Sequence, residues 1–140
     1  MACRGQAFAA YEDGARVRWG AVSTGAESLP TAPGLYRANW MARRHVSTVD
    51  TSWVMRWAIN LDQRSGLALH EYDHPERQAS HKCVRLMRDD ARWLFVWIEA
   101  RRLAPDGRTV IREGTPVRIF GAYDFRSPPP WRRLSADPAA

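Results

Sequence analysis

The stretch ASHKCVRLMRDDARWLF, residues 79–95, places Cys83 directly after Lys82 and two residues after His81, with Arg85 two residues further on. The reactive form of cysteine is the thiolate, which forms at neutral pH only with help from a cation, a base or a helix N-terminus. The sequence offers all three. Lys82 and Arg85 flank the thiol, His81 and His70 are candidate bases, and a helix begins about five residues downstream. The chemistry these residues suit is attack of a thiolate on a carbonyl carbon. A buried thiol at the edge of a core is the plain structural alternative. His70, His74, His81 and Cys83 also carry metal-type donors, but His-x3-His suits zinc best on a helix, and residues 70–74 read as strand and loop.

The elements that must position these side chains are mostly strands. AFAAYED and ARVRWGAVSTG, on either side of Asp13-Gly14, predict a β-hairpin. In its second arm Val17, Trp19 and Ala21 alternate with Arg16, Arg18 and Gly20, which predicts a dry face made by the first three. Residues 23–34, STGAESLPTAPG, read as a loop. LYRANWM, SWVMRWAINL and GLALHEY predict further strands, and EYDHPERQ, which holds His74, a surface loop.

One helix is expected at about residues 88–102, with Asp89 and Asp90 in its first turn and Arg101 and Arg102 in its last, as the helix dipole favours. Ala91, Leu94, Phe95 and Ile98 make its apolar stripe, widened by Trp93 and Trp97. The turn Pro105-Asp106-Gly107 ends it, and TVIREGTPVRIFG supplies two final strands around Glu113-Gly114. A single domain at 1–125 and a Pro-rich tail at 126–140 complete the organisation.

Composition narrows the function classes. At 140 residues, 45% apolar and 26% charged, the chain is long and apolar enough for one globular domain. The net charge of +6, carried almost wholly by arginine, suits an anionic partner such as a wall polymer. It is scattered, however, and zinc-finger spacing, RNP-like strings and basic heptads are missing, so nucleic acid is not the expected partner. No 18-residue apolar run predicts membrane insertion, and MACRGQAF carries no legible export signal. Cys3 and Cys83 make no case for a bridge. Seven tryptophans suit core packing and groove rims alike.

The stretch LHEYDHPERQASHKCVRLMRDDARWLF, residues 69–95, resembles the catalytic stretch of the L,D-transpeptidase catalytic domain. That family carries Ser-His-Gly-Cys-(Val/Ile)-Arg-(Leu/Met) after an upstream His-Gly, and Ser80, His81, Cys83, Val84, Arg85 and Leu86 match, with His70 upstream. AVSTGAESLPTAPGLYRANWM and EGTPVRIFG are similar to two further family segments, and the resemblance covers residues 8–121.

The resemblance implies a mostly β (α+β) domain, a sandwich of two packed sheets with one principal helix at about 88–102. The implied activity is a cysteine acyltransferase acting on peptidoglycan stem peptides, in the periplasm or cell wall. No cofactor or metal is expected, and the residues leave the oligomeric state open, a monomer being the expectation. A thioester would form at Cys83 with release of D-Ala, and an amine acceptor would resolve it; water in that role would make the enzyme an L,D-carboxypeptidase. His70 would be the general base and backbone N–H groups around 81–83 the oxyanion hole. Arg85 would hold the site or a substrate carboxylate, with Ser80 and His81 as supports.

Two positions depart from the pattern: Lys82 and Glu71 stand where the family has glycine. Glycine at such points allows positive φ or close approach to a ligand. Lys82 is expected to lower the thiol pKa, to pair with Glu71 and to crowd the acyl slot. Losing one oxyanion donor costs roughly 100- to 1000-fold and a helpful charge returns roughly tenfold, so a slow enzyme with a faster Lys82→Gly variant is expected. A catalytically silent peptidoglycan- or protein-binding module is the alternative.

Overall fold

The computed structural model describes residues 1–47, 50–72 and 80–126. Its main sheet contains six strands. A hairpin of β1 (Ala7–Glu12) and β2 (Ala15–Ser23) leads through a loop to β3 (Gly34–Arg37), β4 (Trp40–Val46), β5 (Val54–Asp62) and β6 (Leu67–Glu71). After β7 (Val84–Leu86) come helix α1 (Arg88–Trp97) and three short strands, β8 (Arg102–Leu103), β9 (Val110–Arg112) and β10 (Pro116–Ile119). The main sheet runs β1-β2-β7-β6-β5-β4, and two ribbons, β10-β3 and β8-β9, stand beside it. The mostly β class with one helix is as expected.

Three-residue β7 is the centre of this arrangement. It pairs antiparallel with β2 and parallel with β6, with Leu69 opposite Val84 and His70 opposite Arg85. Successive strand residues face opposite ways. Leu69, Val84 and Leu86 therefore share one core with Leu94 of α1, Ile98 just beyond it, and Val117 and Ile119 of β10. The alternate residues, Ala68, His70, Cys83 and Arg85, turn to the other face and line a cavity.

The expected hairpin forms, but the face of β2 that packs inward is the opposite one, at half-buried Arg18 and Gly20, while Arg16 stays exposed. Val17 and Trp19 are 42% and 66% exposed, and Ala21 is exposed too. The N-terminal turn of α1 lies over the other face. There Arg18 pairs with Asp90 at 2.6 Å, its guanidinium 5.3 Å from the Trp93 ring centre. Gly20 makes that approach possible, because a Cβ at this position would meet Asp90 Oδ2 at 2.3 Å and the Phe8 ring at 2.7 Å. A carboxylate from the helix thus draws one arginine of the strand inward.

The helix ends five residues earlier than expected. Ile98 is already extended (ψ 138), and beyond it Glu99 and Arg101 bond to Thr115 and Ala38. Those strand-like bonds compete with further helical turns, so Arg101 and Arg102 fall outside the last turn, which holds no basic residue. Pro105-Asp106-Gly107 turns β8 into β9 instead of ending the helix. The two final strands occur around Glu113-Gly114 but pair with β8 and β3 and not with each other. The tail from 127 and the loop residues 73–79, with His74, lie outside the described residues.

Candidate active site

The cavity on the far face of β6 and β7 has a volume of about 190 Å³. Cys83, His70, Ser80, His81 and Arg85 all line it, so five of the seven expected site residues converge. Lys82 and Glu71 do not line it. Glu71 follows His70 on the strand and so faces away, where its Oε1 lies 4.0 Å from Arg88 Nε. The expected Glu71–Lys82 pair is therefore absent. Cys3 is buried elsewhere, against a second cavity lined by Pro30 and Tyr123, and both cysteines are free thiols.

His70 is a buried imidazole whose tautomer can be read from its neighbour. Nδ1 lies 2.9 Å from the Glu71 carbonyl oxygen. A carbonyl only accepts, so Nδ1 carries the hydrogen and Nε2 keeps the lone pair. Burial lowers the pKa to about 4, opposed by the Glu71 hydrogen bond and reinforced by the charge of Arg85. At neutral pH the ring is uncharged and able to accept a proton.

Burial also pushes the Cys83 thiol up, with the Ala68 backbone and the Arg85 charge pulling the other way. Its Sγ donates to the Gly66 carbonyl at 3.4 Å. The resting pair is a neutral thiol and a neutral imidazole. This corrects the expectation of a thiol lowered by Lys82 and the helix: desolvation outweighs both, and the nearby cation that acts on it is Arg85. The Arg85 guanidinium lies 4.3 Å from the Tyr72 ring centre.

The turn before Cys83 is clamped from residues 25–31. Ala26 N–H donates to the Ser80 carbonyl at 2.9 Å, and Lys82 N–H donates to the Leu29 carbonyl at 3.2 Å. Thr31 Oγ donates to the Lys82 carbonyl at 2.6 Å, and Ser80 Oγ donates to the Cys83 carbonyl. Lys82 has φ 72, the left-handed region in which glycine is at ease. Its departure from glycine therefore acts through the backbone, since its side chain leaves the cavity open. Lys82 N–H, one of the expected oxyanion donors, is already engaged.

Four ring side chains of the cavity wall were not anticipated: Trp40, His45, Trp53 and Tyr72. Trp53 packs on His81 at 4.9 Å between ring centres, and Trp40 on His45 at 4.8 Å. His81 is thereby an exposed rim residue packed at a tilt against an indole. A bulge in β5 opposite His70 helps to place this wall. Trp57, at φ 53, turns its ring against Phe95 of α1, and Met55 and Asn60, of opposite strand parity, both reach the cavity. The high tryptophan content was the only sequence signal for this wall. Among the described residues no cluster of three His, Cys, Asp or Glu side chains is close enough to hold a metal ion.

The family model of the L,D-transpeptidase catalytic domain matches residues 4–119. The chain belongs to that family. Among solved structures, an L,D-transpeptidase from Stackebrandtia nassauensis superposes with a TM-score of 0.72 at 24% identity, over 87% of this chain and 54% of that one. L,D-transpeptidase 1 of Mycobacterium tuberculosis gives 0.63 at 24%, over 86% and 59%. An L,D-transpeptidase solved in complex with imipenem gives 0.65 at 22%, over 85% and 56%. The chain thus spans little more than half the length of these L,D-transpeptidases, and at such identities they establish the shared fold. No curated protein matches the sequence. Among the described residues no helix is long and apolar enough to cross a membrane.

Proposed function

We propose that this L,D-transpeptidase-family domain is a cysteine acyltransferase acting on peptidoglycan stem peptides. The observation that carries the reading is the neutral His70 ring, its Nδ1 held by the Glu71 carbonyl, on the cavity that Cys83 also lines. Nε2 takes the proton of Cys83 as sulfur attacks the stem-peptide carbonyl carbon. The tetrahedral oxyanion is received by backbone N–H groups, of which Cys83 and His81 remain candidates once Lys82 is engaged. Collapse of that intermediate breaks the C–N bond, and the proton on His70 passes to the departing D-Ala amine. A second stem's amine then resolves the thioester; with water in its place the outcome is an L,D-carboxypeptidase. Among the described residues that line the cavity Arg85 alone carries a permanent charge, which suits a substrate carboxylate. Ser80 and His81 support the turn and the rim. This substrate places the protein in the periplasm or cell wall.

The raised thiol pKa and the strained Lys82 favour, as a second reading, a silent peptidoglycan- or protein-binding module. Intact mass after incubation with imipenem separates the two. An adduct of the drug's mass that disappears in Cys83→Ala supports the enzyme. A Cys83 that alkylates with iodoacetamide yet takes no imipenem supports the module.

A further inference from the structure

Lys82 holds a backbone conformation that costs an L-residue about 1–2 kcal/mol, and such outliers persist only where their surroundings over-determine them. What surrounds Lys82 is the loop that follows β2. Thr31 is 6% exposed, and its single hydroxyl makes two bonds. It accepts the Gly25 N–H at 2.8 Å and donates to the Lys82 carbonyl at 2.6 Å. Gly25 is needed for this fit, because a Cβ there would come within 2.2 Å of the Leu29 carbonyl oxygen, the acceptor for Lys82 N–H.

The carbonyl of Lys82 and the N–H of Cys83 belong to one planar trans peptide, so they point in opposite directions. Drawing that carbonyl onto Thr31 turns the Cys83 N–H away from the loop. We propose that Thr31 is a positioning residue for catalysis: by holding the Lys82 carbonyl it keeps Lys82 left-handed and so aims the Cys83 amide and thiol at the cavity. Its role in acylation rests on the reading of Cys83 as nucleophile; its hold on the Cys83 turn does not.

The test is a double-mutant cycle of Thr31→Val, which removes both bonds at nearly constant shape, with Lys82→Gly. Without the clamp, a lysine leaves the left-handed region by the stated penalty, so imipenem acylation falls roughly five- to thirty-fold. A glycine populates both signs of φ about equally, so in the Lys82→Gly background the same change costs only about twofold. Thr31→Ser, which keeps the hydroxyl, stays within about threefold of the parent. Equal losses in the two backgrounds, or a tenfold loss in Thr31→Ser, overturn the proposal. Should Thr31→Val alone not fold, its pairing with Lys82→Gly, compared with Thr31→Ser, carries the comparison. If even the parent takes no imipenem, the acyltransferase reading fails, and the clamp is read from Cys83 alkylation by iodoacetamide across pH, mapped by peptide mass apart from Cys3. The expected result is faster alkylation in Thr31→Val with a midpoint moved down toward an ordinary thiol. Identical profiles in two folded proteins overturn the clamp.

Discussion

His70 and Arg85 stand opposite one another in the parallel register of β6 and β7, and both turn to the cavity. The guanidinium therefore acts on both side chains, lowering the pKa of His70 and of Cys83. Removing a cation makes an imidazolium easier to form and a thiolate harder. Arg85→Met should thus raise both midpoints, which imidazole NMR and Cys83 alkylation can follow separately. If Arg85 also holds a substrate carboxylate, imipenem acylation falls about 10- to 100-fold, the worth of a charged hydrogen bond. A midpoint that moves down in either titration would contradict this placement.

Acid should weaken the fold through His70. Its folded pKa of about 4 lies below the ordinary 6.5, so between these values the unfolded chain binds the extra proton. The contribution is fully present above pH 6.5 and is lost as pH falls through about 4, an effect of about 3 kcal/mol. Urea unfolding at stepped pH should show this slope, and His70→Gln should flatten it. Acylation by the parent should likewise fall away below about pH 4, where the base becomes protonated.

Lys82→Gly should raise stability. The replacement removes a left-handed penalty of about 1–2 kcal/mol and adds glycine's entropic cost of about 0.5–1, leaving a gain of up to about 1.5 kcal/mol. Lys82→Ala keeps the strain and should gain nothing. Because the lysine side chain does not line the cavity, the faster acylation expected from relief of bulk loses its basis. Comparing the acylation rates of Lys82→Gly and parent checks this, the expected difference being under about threefold.

Gly20→Ala should destabilise the protein by about 1–3 kcal/mol, the usual range for an overpacked site. Its Cβ would strike Asp90 and Phe8 and dislodge the Arg18–Asp90 pair. The lesion lies across the sheet from the cavity, so a folded variant should keep the parent's Cys83 alkylation profile. Thermal melting and alkylation together test both halves.

Much of this protein is legible in its residues alone. Alternation and turn chemistry mark the hairpin and strands, the 3.6-residue stripe marks the helix, and Ser80, His81, Cys83 and Arg85 mark the candidate site, since all four line one cavity. These signals are local, since periodicity and spacing are properties of neighbours in the chain. Tertiary structure decided the rest. Whether Trp19 or Arg18 faces inward depended on Asp90, a partner from α1. Where α1 stops depended on Thr115 and Ala38 competing for its last backbone groups. Sequence neighbours of Cys83 suggested a lowered pKa, but burial is set by every element that closes over the thiol, and desolvation reversed the sign. Lys82 sits next to the thiol in sequence yet off the cavity in space, while Thr31, distant in sequence, holds the turn. Local pattern encodes period and chemistry; desolvation and distant hydrogen bonds decide direction, charge state and strain.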